Sequence, residues 1–417
     1  MTSKPVWVWL PHATQPVLAG EYQLDLSKTK PLGSFRYSEE YRKNEKAFRL
    51  DEGQLSSFRS IARATAYQGL HDIFKDVKPE GFGLDMLRRN RGVTSLSNID
   101  ALEYSPGDAV GAIEICENIE EKICFAPHSS QEMFDAMDAL DPAQSSAHVV
   151  NTVEGSISTS LGGERPKMTV LHEGQQWIAK FAGRADDPTS TLREFICMRL
   201  ASICDIDVAD VQYVHRNDRG AILIRRFDRH MLEDGGCNRV HFASAATVLG
   251  AANAVNDSPQ RTYIGLAMMA TRWKVTGHQT ELWRRMVFNG LVGNGDDHPR
   301  NHGFLRTEHG WKLSPAYDIA PYTPSGGKVQ EVPALSMGLR RSGDAGVTAD
   351  NMLVGAKQLG ITYAEANDYL DFAYETIRDT WDTVAVSVGQ KPLEPPLFKL
   401  PPRAERISEG DWKRVRA

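Results

Sequence analysis

The sequence predicts an α+β protein whose β-rich first half gives way to a mainly helical second half. Three observations carry that prediction. Short runs rich in β-branched and aromatic residues, separated by turn clusters, recur up to Asp228. Beyond Asp228, apolar residues return at helical spacing. The 417 residues, 41% hydrophobic and 24% charged, hold ample material for more than one core and exclude a disordered chain.

Taken in order, Val6 to Leu10 reads as the first strand, Phe35 to Tyr37 as a short second one, and Ala47 to Leu50 as a third. The spacing of Ile61, Ala64, Tyr67 and Gln68 predicts a helix from Gln54 to Gly69, with Asp51 or Ser56 as its cap. Gly107 to Ile115 reads as a strand and Ser129 to Leu140 as a helix. The polar, proline-bearing stretch from Ala126 to Ser146 marks a boundary, so a β-rich N-terminal subdomain and linker are expected at 1–145.

A second block is expected at 146–228. It starts with a strand from Val149 to Val153 and a Gly/Ser/Thr-rich loop from Gly155 to Gly163. A hairpin of Lys167–Leu171 and Gln176–Phe181 follows, then a helix from Leu192 to about Cys204 capped by Thr189 or Ser190. A hairpin of Val208–His215 and Ala221–Phe227 closes the block. Helices are expected at Thr280–Gly293 and Tyr363–Val388 within a mainly helical lobe, 229–390. Five prolines and the basic residues Lys413, Arg414 and Arg416 predict an extended tail at 391–417.

Forty-eight Lys+Arg against 54 Asp+Glu give a net charge of −6, which excludes coating of nucleic acid by bulk positive charge. Five scattered cysteines without a CxxC pair read as reduced thiols rather than a zinc site. No run approaches the roughly 20 apolar residues of a membrane span. A cytoplasmic location without membrane contact is expected.

The chemistry concentrates in Gly295-Asp296-Asp297-His298-Pro299-Arg300-Asn301-His302. Asp296 and Asn301 stand five residues apart, the spacing of the protein-kinase catalytic loop, where the Asp takes the hydroxyl proton and the Asn oxygen binds a metal. Downstream, the hairpin Gly303–Arg306 and Trp311–Leu313 leads to Asp318, where a kinase places its second ligand. Mg²⁺ asks for such hard oxygen donors. Upstream, Lys180 follows the Gly/Ser loop on a strand, and Glu194 lies on the next helix, where it can hold that lysine in place. Singly, each of these is an ordinary surface charge or turn. Their order is that of a kinase small lobe. Asp296 with His298 and His302 also suits a metal-dependent hydrolase.

The chain resembles the HipA-type serine/threonine kinases, the toxins of toxin–antitoxin modules, from about Val6 to Val388. The likeness rests on Leu192-Arg193-Glu194-Phe195-Ile196, Arg226-Phe227-Asp228-Arg229, Gly295-Asp296-Asp297-His298-Pro299-Arg300-Asn301 and Pro315-Ala316-Tyr317-Asp318. It implies a two-lobed kinase-like fold that binds ATP and Mg²⁺ and phosphorylates Ser or Thr. Asp296 matches the base, and Asn301 and Asp318 match the metal ligands. Lys180 matches the phosphate-binding lysine, and Leu161-Gly162-Gly163-Glu164-Arg165-Pro166-Lys167 the phosphate loop. Arg225, Arg226 and Phe227 match the adenine-side hinge, with His298, Arg300 and Tyr317 also at the nucleotide. Ser160 matches the autophosphorylated serine, with Ser158 and Ser156 as alternatives. Two departures are Arg225, where an acidic residue is common, and Arg165-Pro166, where Pro166 removes one backbone donor.

The resemblance further implies a helix-turn-helix antitoxin as partner, DNA contact only through it, and a protein substrate such as an aminoacyl-tRNA synthetase. The alternative reading is a catalytically weak kinase-shaped module that binds the antitoxin and assists transcriptional repression.

Overall fold

Alternation of apolar and polar residues over the first 37 positions forces extended chain. The computed structural model describes residues 2–140, 159–183, 186–216, 219–251, 261–322, 333–395 and 397–415. It divides into two compact units. One comprises Met1–Arg184, His215–Ala243 and Leu305–Gly310; the other comprises Ala185–Val214, Ser244–Phe304 and Trp311–Ala417.

In the first unit, β1 (Thr2–Trp9), β2 (Pro16–Asp25), β3 (Leu32–Tyr37), β4 (Ala62–Ala64) and β5 (Ile113–Ile115) form an antiparallel sheet in the order β4-β3-β2-β1-β5. Val6 and Val8, Tyr22 and Leu24, and Phe35 and Tyr37 are buried, the period of two expected of a sheet with one covered face. Phe35 meets Tyr37 and Phe74 edge-on at ring distances of 4.8 and 5.4 Å. Such pairs add about 0.5–1.5 kcal/mol beyond area burial.

The expected helix from Gln54 to Gly69 does not form. Asp51 accepts from the Gly53 and Gln54 amides, and the Ser57 hydroxyl from those of Arg59 and Ser60. These local turns compete with helix hydrogen bonding. Ala62–Ala64 then pairs with β3, and Tyr67 and Gln68 adopt left-handed conformations (φ 46° and 58°). Ala47–Leu50 is not a strand either. Its Phe48 and Leu50 amides donate to the Tyr41 and Tyr37 hydroxyls at 3.2 and 2.8 Å instead of to a ladder. Only Ile113–Ile115 of the expected Gly107–Ile115 strand is extended in the sheet. The expected helix forms at Ser130–Ala139, and it starts at Ser129 with a complete capping box.

A second sheet contains β6 (Lys167–His172), β7 (Gln175–Phe181), β8 (Val211–Arg216) and β9 (Arg219–Arg225), in the order β6-β7-β9-β8. The Lys167–Phe181 hairpin matches the sequence reading. The predicted strand Val149–Val153 lies outside the described residues.

The second unit is mainly helical. Its principal helices are Ser190–Ile203, Tyr263–Arg272, His278–Leu291, Ala349–Gln358 and Tyr363–Ser387. The C-terminal segment is not an extended tail. It ends in the helix Glu409–Arg414, whose Trp412 is buried and donates from Nε1 to the Leu353 carbonyl at 2.8 Å. Lys357 Nζ donates to the carbonyls of Trp412, Lys413 and Val415, closing that helix's C-terminal end. Arg406, also buried, donates to Asn367 Oδ1 at 3.0 Å. Earlier in the segment, the Phe398 amide donates to the Leu291 carbonyl at 2.9 Å, which holds the segment against a helix end. Among the described residues no helix is long and apolar enough to cross a membrane.

Candidate active site

The helix His278–Leu291 delivers the chain into the loop at Gly293, which has φ +66° and accepts from the Tyr322 amide at 2.9 Å. The two adjacent aspartates then separate sharply. The Asp296 side chain is 76% exposed, whereas Asp297 is 1% exposed. Asp297 Oδ1 pairs with His302 Nε2 at 2.8 Å, and Oδ2 accepts from the buried Tyr263 hydroxyl. Burial, reinforced by Asp297, pushes the Tyr263 hydroxyl well above its ordinary range, so it stays protonated and donates. Asn289 Nδ2 donates to that hydroxyl at 3.0 Å, and Asn294 Nδ2 to Asn289 Oδ1 at 3.1 Å.

This buried chain does a definite job. Asp297 follows Asp296, and His302 follows Asn301. Their hydrogen bond therefore clips the two ends of the loop together. Within the loop, Asn301 Nδ2 donates to the Asp296 carbonyl at 3.1 Å, which fixes the amide and presents its Oδ1 as the acceptor. A second clip sits one residue before each expected metal ligand: the Tyr317 hydroxyl donates to the Arg300 carbonyl at 2.6 Å. It ties the Tyr317 side chain to the residue before Asn301. Asn301, Tyr317 and Ile319 line one small cavity with Asp297 and His302. Asp318 itself is held at φ +59°, a left-handed conformation costly for a residue with a Cβ and typical of functional positions. Asn301 Oδ1 and the Asp318 carboxylate are hard oxygen donors of the kind Mg²⁺ takes.

His298 caps the short 3₁₀ turn Pro299–Asn301 by accepting the Arg300 amide at 3.2 Å, and its Nε2 lies 3.9 Å from Asp296. The hydrolase reading loses its ligand set, because His302 is buried on Asp297. Among the described residues no group of three or more His, Cys, Asp or Glu is placed to hold a metal.

In the first unit, Gly162, Gly163 and Glu164 are exposed and Arg165 half-buried ahead of β6. Gly163 has φ +101°, and a Cβ there would meet Lys167 Nζ at 2.3 Å. Lys167 Nζ donates to the Gly162 carbonyl at 2.6 Å. Lys167 and Lys180 are direct partners across β6 and β7, so both side chains leave the same face of the sheet, and both are buried. Two facing lysines concentrate positive charge beside the glycine loop. In the second unit Glu194 is buried on the helix Ser190–Ile203.

Arg226 departs from the expected hinge. Its guanidinium is buried and donates to Asp228 at 3.0 and 2.8 Å and to the carbonyls of Asp108 and Ala109. Arg225, the last residue of β9, and Phe227, in the turn that follows, are both half-buried. Ser160 is buried, its hydroxyl donating to the Pro106 carbonyl at 2.5 Å. Ser156 and Ser158 lie outside the described residues. Asp108, which accepts from Ser160, was invisible in a stretch that reads as plain strand.

A β-rich unit with a glycine loop and facing strand lysines, and a helical unit carrying a clipped Asp/Asn loop, define a kinase-like α+β fold. Comparison with known proteins gives the family. A family model described as the HipA-like C-terminal domain matches residues 159–386, more than half of the chain, and one described as the HipA N-terminal domain matches residues 18–116. The chain belongs to the HipA family. It is 26% identical over 273 residues to the serine/threonine-protein kinase toxin HipA of Shewanella oneidensis, covering 58% of this chain and 60% of that protein. It is 24% identical over 313 residues to Y4mE of Sinorhizobium fredii, which bears a kinase name, covering 68% and 71%. A solved chain from the Shewanella oneidensis complex of HipA, HipB and operator DNA superposes with a TM-score of 0.66 at 19% identity, covering 94% of this chain and 92% of that one.

Proposed function

We propose that the protein is an ATP- and Mg²⁺-dependent serine/threonine protein kinase of the toxin type. The observation that carries this reading is the doubly clipped loop, which holds an exposed Asp296 beside Asn301 and is tied to Tyr317, the residue before Asp318. Asp296 takes the proton of the attacking hydroxyl. Asn301 and Asp318 hold Mg²⁺, which supplies charge neutralisation on the phosphates. Lys180, supported by Glu194, and Lys167 take the remaining phosphate charge, while Gly162, Gly163, Glu164 and Arg165 cover it. Arg225, Phe227, His298, Arg300 and Tyr317 complete the nucleotide site. Catalysis then consists of positioning and electrostatics, as phosphoryl transfer demands.

The test is incubation of the purified chain with ATP-Mg²⁺, alone and with cell extract, followed by mass spectrometry. Phosphoserine or phosphothreonine is expected on the chain itself, at Ser160, and on an extract protein such as an aminoacyl-tRNA synthetase. No incorporation in either sample rejects the kinase reading.

Lys180→Ala should weaken ATP-Mg²⁺ binding by roughly 10- to 100-fold, the scale of a lost charge-assisted contact. Calorimetry checks this, with a thermal melt of the variant as the folding control, and unchanged affinity would take Lys180 out of the phosphate site.

A helix-turn-helix antitoxin is the proposed partner, supported by the HipB and operator DNA of the superposed complex. With a net charge of −6, the chain alone should bind operator DNA weakly at physiological salt. Tight, sequence-specific gel shifts by the isolated chain would contradict that division of labour.

A further inference from the structure

We propose that Asp108, in the N-terminal subdomain, is a positioning residue that latches the start of the glycine loop and keeps Ser160 withheld from phosphoryl transfer. The proposal rests on the reading of Ser160 as a self-modified residue. Asp108 is fully buried. Its Oδ1 accepts the Ser160 amide at 2.6 Å, and its Oδ2 accepts the hydroxyls of Thr159 and Thr169 at 2.8 and 2.9 Å. Thr169 belongs to β6. One carboxylate thus ties the loop's first residues to a fixed strand.

Further contacts close the latch. The Leu161 amide donates to Thr159 Oγ1 at 3.1 Å, and the Ser160 hydroxyl donates to the Pro106 carbonyl. Farther along the loop, the Gly163 carbonyl accepts the Phe82 amide at 3.0 Å, in the first turn of the helix Gly81–Arg91. Gly83 faces the loop so closely that a Cβ there would lie 2.7 Å from the Thr159 carbonyl.

The chemistry makes this seat restrictive. In self-modification Ser160 Oγ forms a bond to the γ-phosphorus, the bond from that phosphorus to the β–γ bridging oxygen breaks, and ADP leaves. The hydroxyl proton passes to the base. None of this can happen while Oγ is buried with its hydroxyl hydrogen-bonded to the Pro106 carbonyl. The latch must open first, so Asp108 sets how often Ser160 is offered.

The experiment uses the full chain with Asp108→Ala, Asp108→Asn and Thr159→Val. Hydrogen exchange reports the loop, and mass spectrometry after ATP-Mg²⁺ reports Ser160. Thr159→Val, which loses two buried hydrogen bonds, should exchange the loop amides about tenfold faster and phosphorylate Ser160 about tenfold faster, and Asp108→Ala, which loses three, should do so at least as much. Exchange in β1–β3 should not change. Asp108→Asn should stay near wild type, because its amide oxygen still takes the Ser160 amide and its NH₂ can donate to the threonine hydroxyls. Thr159→Val spares the buried carboxylate and decides the matter if Asp108→Ala fails to fold. Loop exchange at the wild-type rate in Thr159→Val, or faster exchange without faster Ser160 modification, overturns the proposal. If no form incorporates phosphate, the kinase reading fails and the exchange comparison alone decides the latch.

Discussion

Asp296→Asn should lower phosphoryl transfer by roughly 100- to 10,000-fold, the contribution of a positioned general base, and leave ATP affinity and folding close to wild type. The side chain is 76% exposed, so loss of its charge disturbs little packing. The Asp296 group that organises the loop is its backbone carbonyl, which accepts from Asn301 Nδ2 and the His298 amide, and the substitution leaves it in place. Asparagine keeps the shape but cannot accept the proton. Initial rates on a protein acceptor, with calorimetric ATP binding as control, check the prediction. A variant with wild-type turnover would remove Asp296 from the mechanism. The neighbouring aspartate serves as contrast: Asp297 is the acceptor for Tyr263 and His302, so its replacement should disturb the loop itself.

Periodic, locally determined elements were legible in the sequence. The hairpin Lys167–Phe181 and the helices Ser130–Ala139 and Tyr363–Ser387 form close to where the residue pattern placed them. The false helix at 54–69 had the right spacing, but Asp51 and Ser57 turned the chain first. The five-residue interval between Asp296 and Asn301 was legible because both residues lie within one short stretch of chain. What clips it was not. Asp297, His302 and Tyr263 are separated by up to 39 positions, and nothing in one sequence says which of two adjacent aspartates is buried. Asp108 was hidden for the same reason: its partners lie 51 to 61 residues away. The proline-rich C-terminus misled because composition does not reveal that Trp412 and Arg406 find buried partners.

The second large effect is expected away from the chemistry, at Asp228. Its carboxylate accepts from Arg226 Nε and Nη2 at 3.0 and 2.8 Å, Arg229 Nη1 at 2.7 Å and the Gly111 amide at 2.7 Å, all buried. Burial opposes its ionisation, but Arg226 and Arg229 outweigh it and hold the carboxyl below the usual range. A carboxyl with a depressed folded-state pKa stabilises the fold above its unfolded value of 3.8. That contribution is lost only as pH falls through the folded value, so it persists in mild acid. Asp228→Ala strands two buried guanidinium groups and one amide. Removing one partner of a buried pair costs about 3–5 kcal/mol, against a total stability of roughly 5–15 kcal/mol. At about 2–4 °C per kcal/mol for a unit of this size, the melting temperature should fall by roughly 6–20 °C. Adding Arg226→Met to Asp228→Leu should recover part of the loss, because it removes an unpaired charge along with its partner. Arg226 also holds the Asp108 carbonyl, so the same network braces the residue that seats the glycine loop. Thermal and urea melts of the full chain decide it. An Asp228→Ala protein melting within a degree or two of wild type would show that the Arg-Phe-Asp-Arg segment does not carry the fold.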